Sequence, residues 1–346
     1  MVFRFLQSIF TSAPGQPDKF DKNLMLMAIE RVVDGTDPRL RAVSRYRRKL
    51  WEAVEQAIDF VVTFVNALPP AIAADRQSYM TEPRLRALFA SPEHLQEILS
   101  FSDGARNYRQ QNAGPLPAEL YAALGAVRVE KNVLGIEQDG QILRRDVPQT
   151  VVNFCDHRLV CLTDNERDTR RELMKRGFDY LIETALQRLT ASRVQRTQLE
   201  QQQRRLLQQK ASLLKTAQLG LASMTGPVAM EQPDFNVIEQ QLQELETELS
   251  QLRADSATIE NHLANVAATL AEPEQYLRLE PVSLTLDHMN IKAPPNSHRV
   301  ANTMTFDEIV LGHDRRLAAL FIRFPSQDLL PPPDLFEEAS RLLQSS

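Results

Sequence analysis

Cysteine is nearly absent: only Cys155 and Cys161 occur in 346 residues. That is too few for a disulfide framework, so the sequence predicts a reducing, cytoplasmic setting. Glycine is scarce at 11 residues and aromatics make up 6% of the chain, which disfavours a fold of many tight turns and favours long helices. Long apolar runs are lacking as well. The densest, AIDFVVTFVNALPPAIAA from Ala57 to Ala74, is broken by Asp59 and Pro69-Pro70 and falls short of the roughly 20 apolar residues a membrane span needs. The opening MVFRFLQSIF has neither the charged start nor the cleavage site of a secretory signal, so export by that route is not expected. Neither sign of charge dominates. A net charge of −5 gives no global attraction for phosphate backbones, and nucleic acid is an unlikely partner without a local basic face. Catalytic signatures are missing too: there is no phosphate loop, dinucleotide fingerprint, HExxH or GxSxG, and no cofactor is implied.

What is present is a chain long enough for two or three domains, 43% hydrophobic and 25% charged. The pattern predicts an α+β protein, mainly helical: an N-terminal helical domain over 1–124, a small antiparallel sheet from 125–164 and 276–325, a coiled-coil hairpin over 165–275 interrupting it, and a C-terminal helix over 326–346. In the first region Asp37-Pro38 starts a helix with a capping side chain and a proline that loses no needed donor. Leu50, Val54, Ile58, Val61, Val62 and Val65 then recur on one face until Pro69-Pro70. Further starts lie at Thr81-Glu82-Pro83 and Ser91-Pro92-Glu93. The octets TDPRLRAV at Thr36 and TEPRLRAL at Thr81 are nearly identical, which shared capping grammar explains without a true repeat.

After Gly125 the grammar changes to strands. VRVEKNVLGIE and QILRR flank a Gln138-Asp139-Gly140 turn, and VVNF and RLVCL read as two further short strands around an Asp156-His157 turn. Downstream, LRLEPVSLTLD alternates, and TFDEIVL and RRLAALFIRF flank Gly312-His313-Asp314 as a hairpin. Between the two blocks, Asn165–Leu219 contains no proline and reads as one helix. Phe235, Ile238, Leu242, Leu245, Leu249, Leu252, Ser256, Ile259, Leu263, Val266 and Leu270 step by threes and fours, the seam of a coiled coil over about five repeats. Ile182, Ala185, Leu189, Ser192, Arg196, Leu199, Gln203, Leu206, Lys210, Leu213 and Ala217 fit the same grid. A single antiparallel register pairs the two arms, for example Leu199 with Leu252. The first arm is basic and the second acidic, which favours their mutual pairing, although arm exchange between two chains would give a homodimer from the same heptads.

Three functional readings follow. The first is a non-enzymatic structural or adaptor protein whose hairpin tip, residues 220–233, docks another protein through Leu221, Met224, Val228 and Met230. The second is a peripheral membrane protein, held on anionic lipid by residues 2–10 and the basic cluster 39–49. The third is an enzyme or metal protein using Cys155, His157 and Cys161, the ligand types of zinc sites but without a fourth ligand. His288 and His313 are candidates to approach Cys155 across the sheet, and the enzymatic reading is the less favoured one.

Overall fold

The computed structural model describes residues 22–112, 114–139, 142–218, 235–256, 258–293, 300–312 and 315–331. The chain divides into two compact units: one holds Ile58–Phe178 and the chain from Pro273 onward, the other the helices before Ile58 together with Asp179–Glu272. The N-terminal helices are therefore shared between the units. Helices α1 (Lys22–Gly35) and the first part of α2 (Tyr46–Ala67) belong to the second unit, whereas α3 (Arg76–Thr81), α4 (Pro83–Leu88), α5 (Pro92–Phe101) and α6 (Asp103–Gln111) belong to the first.

Capping chemistry sets the helix starts. Glu82 accepts from Arg84 N at the start of α4, and Ser91 accepts from His94 N at the start of α5. Asp37 likewise caps, but the helix expected from it lasts only a 3-10 turn, Pro38–Ala42. Val43 is extended and Arg45 left-handed (φ 56°), and α2 begins afresh at Tyr46. Burial of Leu40 and Val43 holds this break in place. The octets therefore share a cap and one short turn, and their likeness ends there.

The first unit is built on one six-stranded sheet, so the two strand blocks pair as expected. Its antiparallel order is β3 (Ile142–Thr163), β2 (Glu119–Asp139), β6 (Arg315–Pro325), β5 (Asn302–Leu311) and β4 (Leu277–Leu286), and the two-residue β1 (Ile72–Ala73) runs parallel to β6. Strand β2 begins at Glu119, six residues earlier than expected. VVNF and RLVCL are not separate strands: both lie in β3, which continues without a turn from the hairpin that opens it. The hairpin itself closes after Asp139, which pairs with Ile142.

Three bulges interrupt the β2–β3 ladder, and at each the extra residue is on β3. They fall at Asp146, Asp156 and Cys161, whose φ angles are 58°, 52° and 56°. Each bulge bends the ribbon and re-aims the side chains that follow. Beyond them, Val152 N–H donates to Asn290 O (2.8 Å) and Lys292 N–H to Thr150 O (2.9 Å). These bonds link the outermost strands β3 and β4 through residues 290–292, so the sheet curls until its edges meet.

The concave interior is apolar. Leu120, Ala122 and Leu124 face Phe324, Ile322 and Leu320 across the β2–β6 ladder, and all are buried. Helices α3 to α5 add Tyr79, Leu85, Leu88, Phe89, Leu95 and Leu99 to the same core. One buried charge sits at its end: Glu308, 1% exposed, is bonded to Arg128 Nε at 2.5 Å and lies 3.8 Å from Arg316.

The second unit centres on the part of α7 (Glu166–Gln218) from Asp179 onward, in the 53-residue helix read from the proline-free stretch. Gly35 packs on it so closely that a Cβ there would stand 2.5 Å from Ile182 Cγ2. Arg31 pairs with Asp179 through two bonds of 2.6 and 2.5 Å. Asp37 is a hub: Arg39 and Arg193 both reach it at 2.8 Å, and His262 Nδ1 lies 3.7 Å away. These cations hold the Asp37 carboxyl far below the usual carboxylate range, the Arg39 hydrogen bond contributing most.

The downstream arm is two helices rather than one, α8 (Phe235–Ser256) and α9 (Ile259–Ala271), because Thr258 caps a new start by accepting from Asn261 N. Lys210 meets Glu239, whereas Arg193 meets His262 and Arg188 meets Thr269. These contacts do not follow one constant register, as an interruption in one arm requires. Of the C-terminal helix expected over 326–346, only 326–331 are described, and Ser326–Asp328 is a single 3-10 turn.

Candidate functional site

The structure disperses Cys155, His157 and Cys161 instead of gathering them. The Asp156 bulge lies between the two cysteines and reverses which face the strand presents. Cys155 is consequently exposed, with its thiol 3.6 Å from Val127 O, and Cys161 is buried. Burial pushes the Cys161 thiol up to about 12, so it is a poor nucleophile and a poor ligand. His157 turns to the helices: its Nε2–H donates to Leu88 O at 2.8 Å, and its ring stacks on Phe89 with centroids 4.8 Å apart. Among the described residues no group of three His, Cys, Asp or Glu side chains is placed to hold a metal. The turn expected at Asp156-His157 does not form, since both residues lie within β3.

What sequence reading missed is a pocket of about 360 Å³ at the mouth of the curled sheet. It lies between α3–α5, the middle of β3, the end of β4 with the turn after it, and the start of β5. No local spacing announces such a site. One wall is fixed by an aromatic stack in which His94 meets Phe89 edge-on at 5.7 Å and His157 at 5.4 Å. Burial lowers the His157 pKa, so this stacked ring stays neutral near pH 7.

Several polar groups around the pocket are already committed to structure. The Tyr79 hydroxyl donates to Phe89 O (3.1 Å), and His94 Nδ1 accepts from Ala90 N–H (3.3 Å). Asp287 Oδ1 takes the Met289 and Ile291 amides at 2.8 and 2.9 Å, fixing the turn after β4. His288 lines this pocket together with Asn153, Cys155 is not in the lining, and His313 lies outside the described residues. The arrangement suits binding. Among the described residues the one lining hydroxyl, Tyr79, is bonded to a backbone carbonyl and not to an imidazole.

On α7 the shielded positions form a stripe. From Leu186 to Ser212 all residues are exposed except Leu189, Ser192, Arg196, Leu199, Glu200, Gln203, Leu206 and Lys210. All but Glu200 are positions of the expected seam. On the downstream arm Ile238, Leu245, Leu249, Leu263, Val266 and Leu270 are buried, and these too are seam positions. The tip residues Leu221, Met224, Val228 and Met230 lie outside the described residues, as do residues 2–10.

The basic cluster is partly neutralised by its own unit. Arg39 pairs with Asp37, Arg41 with Glu30 and Asp34, and Arg47 with Glu30. Arg45, Arg48 and Lys49 are exposed and make no ion pair among the described residues. No described helix is long and apolar enough to cross a membrane.

Fold and site together define a mixed α and β protein with a curled antiparallel sheet, a pocket at its mouth and one very long helix. No family model, curated protein or solved structure matches the chain.

Proposed function

We propose that the chain is a non-enzymatic cytoplasmic scaffold or adaptor in which α7 and the α8–α9 arm form an antiparallel coiled-coil hairpin that engages another protein. The observation that carries this reading is the shielded stripe on α7. It follows three-four spacing through Leu189, Ser192, Arg196, Leu199, Gln203, Leu206 and Lys210, while the rest of the surface is almost wholly exposed. The Lys210–Glu239 ion pair at 2.7 Å supports an antiparallel partner from the same chain, and the opposite charges of the two arms favour it. A long paired helix holds two contact points at a fixed separation, which suits assembly more than catalysis.

The test is a chain shortened in its outer arms, with residues 200–251 replaced by a short linker. This leaves Arg193, His262 and the packing of α1 untouched. The scaffold reading predicts that the full chain captures a specific partner from native lysate and the shortened chain does not. Replacing Met224 and Met230 with Asp in the full chain is expected to have the same effect at unchanged helicity. Equal capture by full and shortened chains would move the function off the hairpin. A change from dimer to monomer on shortening, read by light scattering, would assign the arms to exchange between two copies.

The peripheral membrane reading rests on Arg45, Arg48 and Lys49, the cluster's exposed cations with no ion-pair partner among the described residues. Flotation with anionic vesicles checks it: salt-sensitive binding lost on deleting residues 2–10 would favour it over the scaffold.

A further inference from the structure

We propose that the pocket at the mouth of the curled sheet is a binding site for a small organic anion, a carboxylate carried on a short apolar or aromatic body. Its volume, about 360 Å³, lies within the roughly 300–1,000 Å³ of small-molecule sites, and the mouth of a closed sheet is a usual place for one.

The charge of the ligand follows from Arg86. This guanidinium lines the pocket, is exposed, and makes no ion pair among the described residues. The nearest comparable arginine on α4, Arg84, is by contrast bonded to Glu82 at 2.8 Å. The one carboxylate in the lining, Asp287, is occupied by the Met289 and Ile291 amides. Arg86 feels the Glu82 carboxylate only through space, that carboxylate being bonded to Arg84, so its own planar fork is open to a monoanionic carboxylate through two parallel bonds.

The polar rim supplies the remaining donors. The Asn153 and Asn302 amides and the His288 imidazole reach the pocket, and none makes a side-chain hydrogen bond to another described residue. Tyr79 and His94, by contrast, have their polar atoms engaged by the backbone. The floor decides against a bare inorganic ion. Leu88, Phe154, Leu286 and Met304 line it and are at most 9% exposed, so they present an apolar surface that only a ligand with a hydrophobic portion would cover. The His94–Phe89–His157 stack holds that wall before any ligand arrives, which reduces the ordering cost of binding.

The experiment is calorimetric titration of the full chain with 4-phenylbutyrate, its neutral amide and inorganic phosphate. The expected result is saturable binding of the carboxylate, weakened about tenfold or more by Arg86→Gln, as loss of a charge-assisted pair implies. Asn153→Ala is expected to weaken it less. Arg86 is exposed, so the variant should keep the wild-type circular dichroism and melting temperature, which separates lost binding from lost fold. Equal binding of the amide, or of the carboxylate to Arg86→Gln, would overturn the anion assignment. Phosphate binding as tightly as phenylbutyrate would overturn the organic body, and no binding of any probe would overturn the site. Neither result depends on the hairpin, so the scaffold reading stands or fails separately.

Discussion

Arg170 is expected to be one of the most costly single positions in the sheet-bearing unit. It sits in the first turn of α7, 16% exposed in its side chain, and points at the end of α2. Helix ends leave carbonyls short of partners, and here one guanidinium bonds three carbonyls at and just beyond the end of α2. Its two terminal nitrogens make four bonds of 2.8 to 3.1 Å to the carbonyls of Val65, Leu68 and Pro69. The same group pairs with Glu166 at 2.7 Å and lies 4.4 Å from the centre of the Phe321 ring. Arg170 therefore joins the end of α2, the start of α7 and strand β6.

The substitution to make is Arg170→Met, which keeps the aliphatic stem and removes only the head. Bonds to a charged donor contribute about 1.5–3 kcal/mol each but are far from additive around one group. Breaking a largely buried pair by deleting one partner costs about 3–5 kcal/mol, and we expect that range. Glu166 retains the Ala71 amide at 3.2 Å, which moderates the loss. Two compact units need not unfold in one step, and a global melt does not show which elements have loosened. Hydrogen exchange read by mass spectrometry resolves peptides over Val61–Leu68 and Leu317–Phe324 separately. Their slowest amides should exchange roughly a hundred- to a thousandfold faster in Arg170→Met, at about 1.4 kcal/mol per factor of ten. Arg170→Lys should recover only part, because a single ammonium does not span three carbonyls. A change below tenfold, or full rescue by lysine, would refute the view that the guanidinium ties these elements together.

Four further outcomes are expected. Glu308→Ala should destabilise by about 2–4 kcal/mol in a urea melt, because it removes the buried partner of Arg128 and leaves only the more exposed Glu130, and Glu308→Met with Arg128→Met should recover most of that loss. His157 has a folded pKa below its unfolded value, so the unfolded state binds the proton more readily; its stabilising contribution is present above about pH 6.5 and is lost as pH falls through the folded pKa. His157→Gln should therefore flatten the decline of stability between pH 7 and 5, and an unchanged slope would contradict it. Thiol titration should find one fast cysteine in the native chain, abolished by Cys155→Ser, with Cys161 reacting only after denaturation. Asp37→Asn should cost about 2–3 kcal/mol and Glu82→Gln about 1 kcal/mol in chemical melts, because Asp37 is 7% exposed with two arginines whereas the Glu82–Arg84 pair is 25% and 22% exposed; equal losses would sink the distinction.

The elements with strong local or periodic signals were legible in the sequence. The proline-free stretch marks the start of α7 within a residue, alternation marks β4, and the Gly312-His313-Asp314 turn signal marks β5 and β6. The β2–β3 ribbon was misread because its bulges imitate strand ends. Asp156 is a polar residue in left-handed backbone between apolar stretches, and a turn leaves the same trace as a bulge at that point. The pocket left no trace because Arg86, Asn153, His288 and Asn302 are distant in sequence and ordinary in isolation. The new helix start at Thr258 is hidden for the opposite reason, since the heptad pattern continues past it while Thr258 caps Ile259–Ala271.

The two octets show where local rules stop and tertiary context begins. In each, an acidic side chain accepts the amide two residues on and pairs with the arginine that carries it: Asp37 with Arg39 and Glu82 with Arg84. That much follows from the shared sequence. Yet Asp37 additionally takes Arg193 from α7 and lies beside His262 of α9, and Glu82 has no such cross-element ion pair among the described residues. The difference is not in the octet but in what the rest of the unit brings to it. Arg193 was grouped with the basic arm, as one charge among several whose partner was expected on the downstream helix; its carboxylate is instead the cap of a turn 156 residues earlier. A charge count along an arm therefore predicts which helices attract one another, but it does not predict which pairs form, because a buried carboxylate nearby competes for the same arginine more strongly than a solvated one across the seam.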